Sequence, residues 1–184
     1  MKEVGYDLVP VRGMLRVYSG DVGDACYTSR HEEFARGGYP GITAFIYVAK
    51  SGTPQERWAG SVLAIETHTD DGAPVLLVRA NNPRQNVIAG LDADAFVEQV
   101  MERMIELAKR RGIKYIVVPL DGSGKSCSNR EDIAAAYHRA YEAKKPVALE
   151  DVPETNFNEY HSWDVDGDHP CVVVWEDENM ERET

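Results

Sequence analysis

The chain has 184 residues, 43% of them hydrophobic and 28% charged, and a formal net charge of −11. That length supports one domain with its own core, no apolar run approaches the ~20 residues that span a bilayer, and the acidic balance disfavours nucleic acids and anionic membranes as general partners. Three cysteines without paired spacing (Cys26, Cys127, Cys171) and an N-terminus lacking a signal-peptide core lead us to expect a cytoplasmic protein rather than a disulfide-stapled one.

Met14–Tyr18 reads as a first strand, and a short helix is expected from Ser29 to Ala35, with Glu32 and Glu33 suited to its positive end. Gly37-Gly38 and Pro40-Gly41 break the chain. A meander of three strands follows, Ile42–Val48, Trp58–Glu66 and Pro74–Arg79. The turns Ser51–Pro54 and Thr69–Gly72 join them and favour antiparallel pairing.

The polar segment from Asn81 leads into the clearest element, a helix from Asp92 to Arg111. Phe96, Val97, Val100, Met101, Met104, Ile105 and Ala108 form one apolar stripe. Asp92 or Asp94 caps its start, Lys109-Arg110-Arg111 suit its negative end, and Gly112 stops it. The run Tyr115–Val118 is the next strand. A strand–helix–strand unit of this kind makes parallel neighbours with a right-handed crossover, and open sheets of that type bind ligands where their strands end.

A second helix is expected to open with a capping box at Ser128 and Glu131 and to run to about Ala143. Phe157–Trp163 and Cys171–Trp175 read as an antiparallel strand pair, followed by an acidic tail over 176–184 that is expected to fray beyond a single domain spanning residues 1–175.

Three local motifs carry rival chemistry. Gly122–Ser126 follows a strand and precedes a helix, as a phosphate-binding loop does, but Pro119 stands where its first glycine belongs. Asp164-Val165-Asp166-Gly167-Asp168 resembles the start of a calcium loop, yet His169 and Trp175 hold its glycine and glutamate positions. Cys127 beside Lys125 is a candidate thiolate that lacks a local histidine signature. The five histidines show no HxxxH or HxH spacing, so no metal site is expected.

The order of elements, from about Leu15 to Trp175, resembles the GNAT superfamily of N-acyltransferases. That resemblance implies an α/β fold: a mixed, mostly antiparallel sheet with one parallel βαβ crossover and helices on both faces. It also implies acyl transfer, from acetyl-CoA or another acyl-CoA to a small-molecule or peptide amine. The cofactor would lie where the strands ending at Arg79 and Val118 splay apart, on Leu77, Val78 and Arg79.

The family's phosphate loop corresponds to Arg84, Gln85, Ala89 and Gly90, with Ile88 in place of its central glycine. Asn129 would contribute from the second helix. Tyr137 is the expected acid for the departing thiolate. Glu66 and His68, on one face of an extended strand, are the candidate bases, with Glu66 expected among apolar neighbours that raise its pKa. A divergent, non-catalytic binding module of the same fold stays open beside this reading, as does a nucleotide site at Gly122–Ser126.

Overall fold

The computed structural model describes residues 5–23, 25, 31–35, 41–53, 56–69, 71–120, 127–144, 146–147 and 171–180. Its strands are β1 (Tyr6–Pro10), β2 (Ile42–Ala49), β3 (Trp58–His68), β4 (Pro74–Pro83), β5 (Tyr115–Pro119), β6 (Pro146–Val147) and β7 (Cys171–Glu176). Its helices are α1 (Met14–Val17), α2 (Ser19–Gly23), α3 (His31–Ala35), α4 (Gln85–Ile88), α5 (Ala93–Arg111) and α6 (Glu131–Tyr141). The strands form one sheet in the order β1-β2-β3-β4-β5-β7-β6. Every neighbouring pair is antiparallel except β4–β5, which is parallel.

Alternation along the central strands supplies two buried faces. Val62, Ala64, Leu76 and Val78 point to one side, where Phe96, Val97, Val100, Met101 and Met104 of α5 and Ile133 and Tyr137 of α6 pack on them. Leu63, Ile65, Val75 and Leu77 point to the other, beneath Val22 of α2. Both methionines of the α5 stripe that face the sheet are buried core residues. The Asp92 side chain accepts the Ala95 amide at 3.1 Å, and Gly112 closes α5 with φ of 64°. Only glycine adopts that conformation at little cost.

Three expectations are corrected. Met14–Val17 is a turn of helix rather than a strand, and Met14 is 67% exposed. The first strand is instead Tyr6–Pro10, held by β2 along Tyr6↔Ala49 to Pro10↔Phe45. The capping box does not form, because Arg130 is the residue preceding α6 and the Ser128 hydroxyl bonds elsewhere. The strand expected to stop at Arg79 continues to Pro83. The expected strand Phe157–Trp163, the loop Gly122–Ser126 and the acidic turn at 164–168 lie outside the described residues. At the C-terminus, Glu176 is the last residue of β7, and the Asp177 amide bonds the Lys114 carbonyl at 2.9 Å.

Candidate functional site at the parting of β4 and β5

The β4–β5 ladder has three pairs, Val75↔Tyr115, Leu76↔Ile116 and Leu77↔Val117. Beyond Leu77 the two strands go separate ways. β4 continues along β3, whereas Val118 and Pro119 pair with Val172 and Cys171 of β7. The result is a wedge at the C-terminal ends of the parallel pair, where the sequence reading placed it.

A bulge shapes the β4 side of this wedge. Leu63 pairs with Arg79 and Ser61 with Asn82, so Val62 opposes both Ala80 and Asn81. Ala80 has φ of 51°, the left-handed conformation that such bulges impose. The extra residue reverses the alternation. Ala80 joins the cluster under α2, and Asn81 turns toward α5 and α6. Gly60 permits the neighbouring close approach. Its φ is 153°, and a Cβ there would lie 2.4 Å from the Asn82 carbonyl oxygen and 2.6 Å from Pro83 Cα.

Asn81, fully buried, links two tyrosines. The Tyr47 hydroxyl donates to Asn81 Oδ1, and Asn81 Nδ2 donates to the Tyr137 hydroxyl at 2.9 Å. The Tyr137 hydroxyl in turn lies 4.0 Å from Met101 Sδ. Burial pushes the Tyr137 phenol well above its ordinary pKa, with nearby Cys127 adding to the rise and the Asn81 bond opposing it. Tyr137 therefore keeps its proton at any physiological pH, as a proton or hydrogen-bond donor must.

The end of the β5–α6 connection, Cys127–Arg130, fills the wedge. The Asn81 amide donates to the Cys127 carbonyl at 2.9 Å. The Ser128 hydroxyl lies 2.7 Å from the Asn81 carbonyl oxygen, and the Asn129 amide donates to Asn82 Oδ1 at 3.0 Å. Arg130 Nε donates to the Pro83 carbonyl and Nη2 to the Gly23 carbonyl, each at 2.8 Å, tying β4 to α2. Cys127, Ser128, Asn81 and Asn82 are each 1% exposed or less. This explains the missing capping box: the Ser128 hydroxyl accepts the Arg130 amide at 3.0 Å and is otherwise committed to β4.

The sequence-predicted residues divide into three groups. Leu77, Val78, Arg79, Asn129 and Tyr137 border the wedge, with Leu77 and Val78 buried in opposite faces of the sheet. Arg79 lies close enough to Cys171 to oppose the burial that pushes the Cys171 thiol up to about 12. Arg84, Gln85, Ala89 and Gly90 form an exposed segment around α4. Glu66 and His68 share a face as expected, yet Glu66 pairs with Leu76, some five residues and ~15 Å along the sheet from the bulge. There the Glu66 carboxylate forms an ion pair with Arg111, in place of the apolar surround expected from the sequence.

The structure adds Tyr47, Asn81, Asn82 and Arg130 to the site. Two consecutive asparagines at the end of an apolar run were the available signal, since buried amides need designated partners.

Acyl-CoA fits this arrangement in part. The splay and the protonated Tyr137 suit it. However, the β4 amide and carbonyl that face the wedge at Asn81 are already bonded within the chain. At the other end, Asp92 occupies the N-terminus of α5, and Asp94 pairs with Arg139 at 2.8 Å beside it. Those carboxylates repel a pyrophosphate from a helix end that would otherwise attract one. A pantetheine-like chain would have to displace Cys127 and Ser128 from Asn81 to bond the β4 backbone there.

No protein-family model and no curated protein matches the chain. Among solved structures, it is similar to an acetyltransferase from Streptococcus agalactiae 2603, at 12% identity and a TM-score of 0.48 over 93% of this chain and 98% of that one. It is also similar to a conserved protein of unknown function, a probable N-acyltransferase, from Enterococcus faecalis V583, at 10% identity and a TM-score of 0.44. That alignment takes in 77% of this chain, which spans 32% of the other. The strand order, the bulge in β4 and the parting of β4 from its parallel neighbour give the chain a GNAT-like fold.

Proposed function

We propose that the protein is an acyl-CoA-dependent N-acyltransferase acting on a small-molecule or peptide amine, with the wedge between β4 and β5 as its donor site. The observation that carries this reading is the three-pair β4–β5 ladder, ending beside a bulge that aims Asn81 at Tyr137. Acyl-CoA, when bound, supplies an activated thioester. Of the chain's own groups, Tyr137 holds a proton on its hydroxyl, Asn81 fixes that hydroxyl's orientation, and Tyr47 fixes Asn81. An intracellular setting belongs to the same proposal, since Cys127 and Cys171 are both free thiols.

A second reading, a non-catalytic module of the same fold, is favoured by the closure of the wedge by Cys127–Arg130. One assay separates the two. Acetyl-CoA is incubated with the protein and a panel of primary amines while free thiol is measured, in parallel with thermal melting in CoA. Thiol release that depends on an amine, with a CoA-induced rise in melting temperature, supports the enzyme. Neither signal at millimolar CoA leaves the module. In an active enzyme, Tyr137→Phe lowers turnover by ~10²-fold or more with CoA affinity unchanged; unaltered turnover removes Tyr137 from the chemistry.

A further inference from the structure

A groove of about 490 Å³ opens at the other end of the sheet, between edge strand β1, the start of α1 and the C-terminal half of α5. Among the described residues five arginines line it: Arg12, Arg16, Arg103, Arg110 and Arg111. This is an odd place for them. The chain carries 31 acidic residues against 20 Lys and Arg, yet among the described residues five arginines and only two acids, Asp7 and Glu106, line the groove. Like charges gathered on one concave surface repel, and acids were abundant enough in this sequence to offset them.

Local pairing accounts for part of the cluster. Arg103 meets Glu106 at 3.1 Å, and Arg111 meets Glu66. Arg12 and Arg110 form no hydrogen bond or ion pair among the described residues. Arg16 is partly buried, and that burial lowers its pKa from the ordinary value. The floor is apolar, with Phe45 and Leu107 buried and Leu8 packed on the core. A volume in the small-ligand range, an apolar floor and converging polar groups are the ingredients of a ligand site. Guanidinium forks bind carboxylate and phosphate oxygens in pairs.

We propose that this groove is a binding site for a small polyanion, a molecule carrying at least two carboxylate or phosphate groups. The site lies apart from the wedge, and the proposal does not rest on acyl transfer. The groove's volume suits a small molecule, and the chain's net charge of −11 opposes a nucleic acid.

The test is titration of the full chain with inorganic pyrophosphate and, separately, with citrate, read by calorimetry and by melting temperature against NaCl of equal ionic strength. At least one probe raises the melting temperature, and the stronger of the two identifies the oxyanion class. The double variant Arg12→Gln, Arg110→Gln binds that probe ~10-fold more weakly or worse, and its own melting without anion checks that it folds. Asp7→Asn removes a repulsive carboxylate and tightens binding several-fold. Arg84→Gln, at the residue preceding α4 and away from the groove, leaves binding unchanged. The proposal is overturned if neither anion acts beyond NaCl, if the double variant binds like the parent, or if Arg84→Gln alone abolishes the effect.

Discussion

At the scale of single residues, the site depends on close approach and on protons kept in place. Gly60 lets β3 pass the end of β4 where a Cβ would strike the Asn82 carbonyl, Pro83 Cα and the Tyr47 ring. Two of those three neighbours are backbone, so they cannot yield. Gly60→Ala should destabilise the protein by ~2–4 kcal/mol in urea unfolding; a loss below 0.5 kcal/mol would show that the bulge adapts. Protonation gives a second expectation. The Cys171 thiol is pushed up to about 12 in the fold, against an ordinary value of 9.0. Below pH 9 the thiol is neutral in folded and unfolded chains alike, so its burial is fully accommodated. Between pH 9 and 12 the unfolded chain sheds that proton and the folded one does not. Stability therefore falls as pH rises through this window, by up to ~1.4 kcal/mol per unit. The Tyr137 phenol, raised well above 10.0, adds to the fall from pH 10 upward. Urea melts at pH 8 and 10.5 should show this decline, and Cys171→Ala should flatten it. Equal slopes in both proteins would place the cause elsewhere.

At the scale of elements, the decisive contact is between the β5–α6 connection and the bulged end of β4. Ser128→Ala deletes the hydroxyl that meets the buried Asn81 carbonyl and accepts the Arg130 amide. It should cost ~1–3 kcal/mol of stability. If the connection has to leave before a donor molecule enters, the same change should also tighten CoA binding several-fold. Tighter binding from a less stable protein is an outcome that a rigid, preformed site would not give. The bulge itself is testable. Ala80 sits at φ of 51° without glycine's freedom, so Ala80→Gly should stabilise by ~1 kcal/mol in the same urea assay.

These contacts mark the limit of what the sequence reveals. Helix α5 is legible because its stripe, Asp92 cap and Gly112 stop all agree. The bulge is not, since alanine gives no warning of a left-handed backbone. Ser128 and Glu131 satisfy the spacing of a capping box, but a stronger tertiary acceptor took the hydroxyl. Met14–Tyr18 looks like a strand by composition, whereas Tyr6–Pro10, carrying a proline and an aspartate, does not. Pairing to β2 decided between them, as edge strands tolerate such residues. Glu66 and His68 were placed correctly on one face, yet their distance from Tyr137 was set by which end of β3 meets which end of β4.

At the scale of the molecule, the sheet is two blocks. β1 to β4 form one antiparallel group, with short connections joining β2, β3 and β4, and β5, β7 and β6 form a second antiparallel group. Three residue pairs join the blocks within the ladder, and the Cys127–Arg130 bonds to β4 form a second attachment beyond it. Helices α5 and α6 span both blocks from one side. Local pairing allows the β2–β3–β4 meander to form early, whereas β4–β5 contact must wait for the α5 segment to loop back. A force applied between the two blocks would thus find a preferred fracture line. Amides bonded across it should exchange with heavy water sooner than those inside either block, so that this protein breathes like a book opening along its spine.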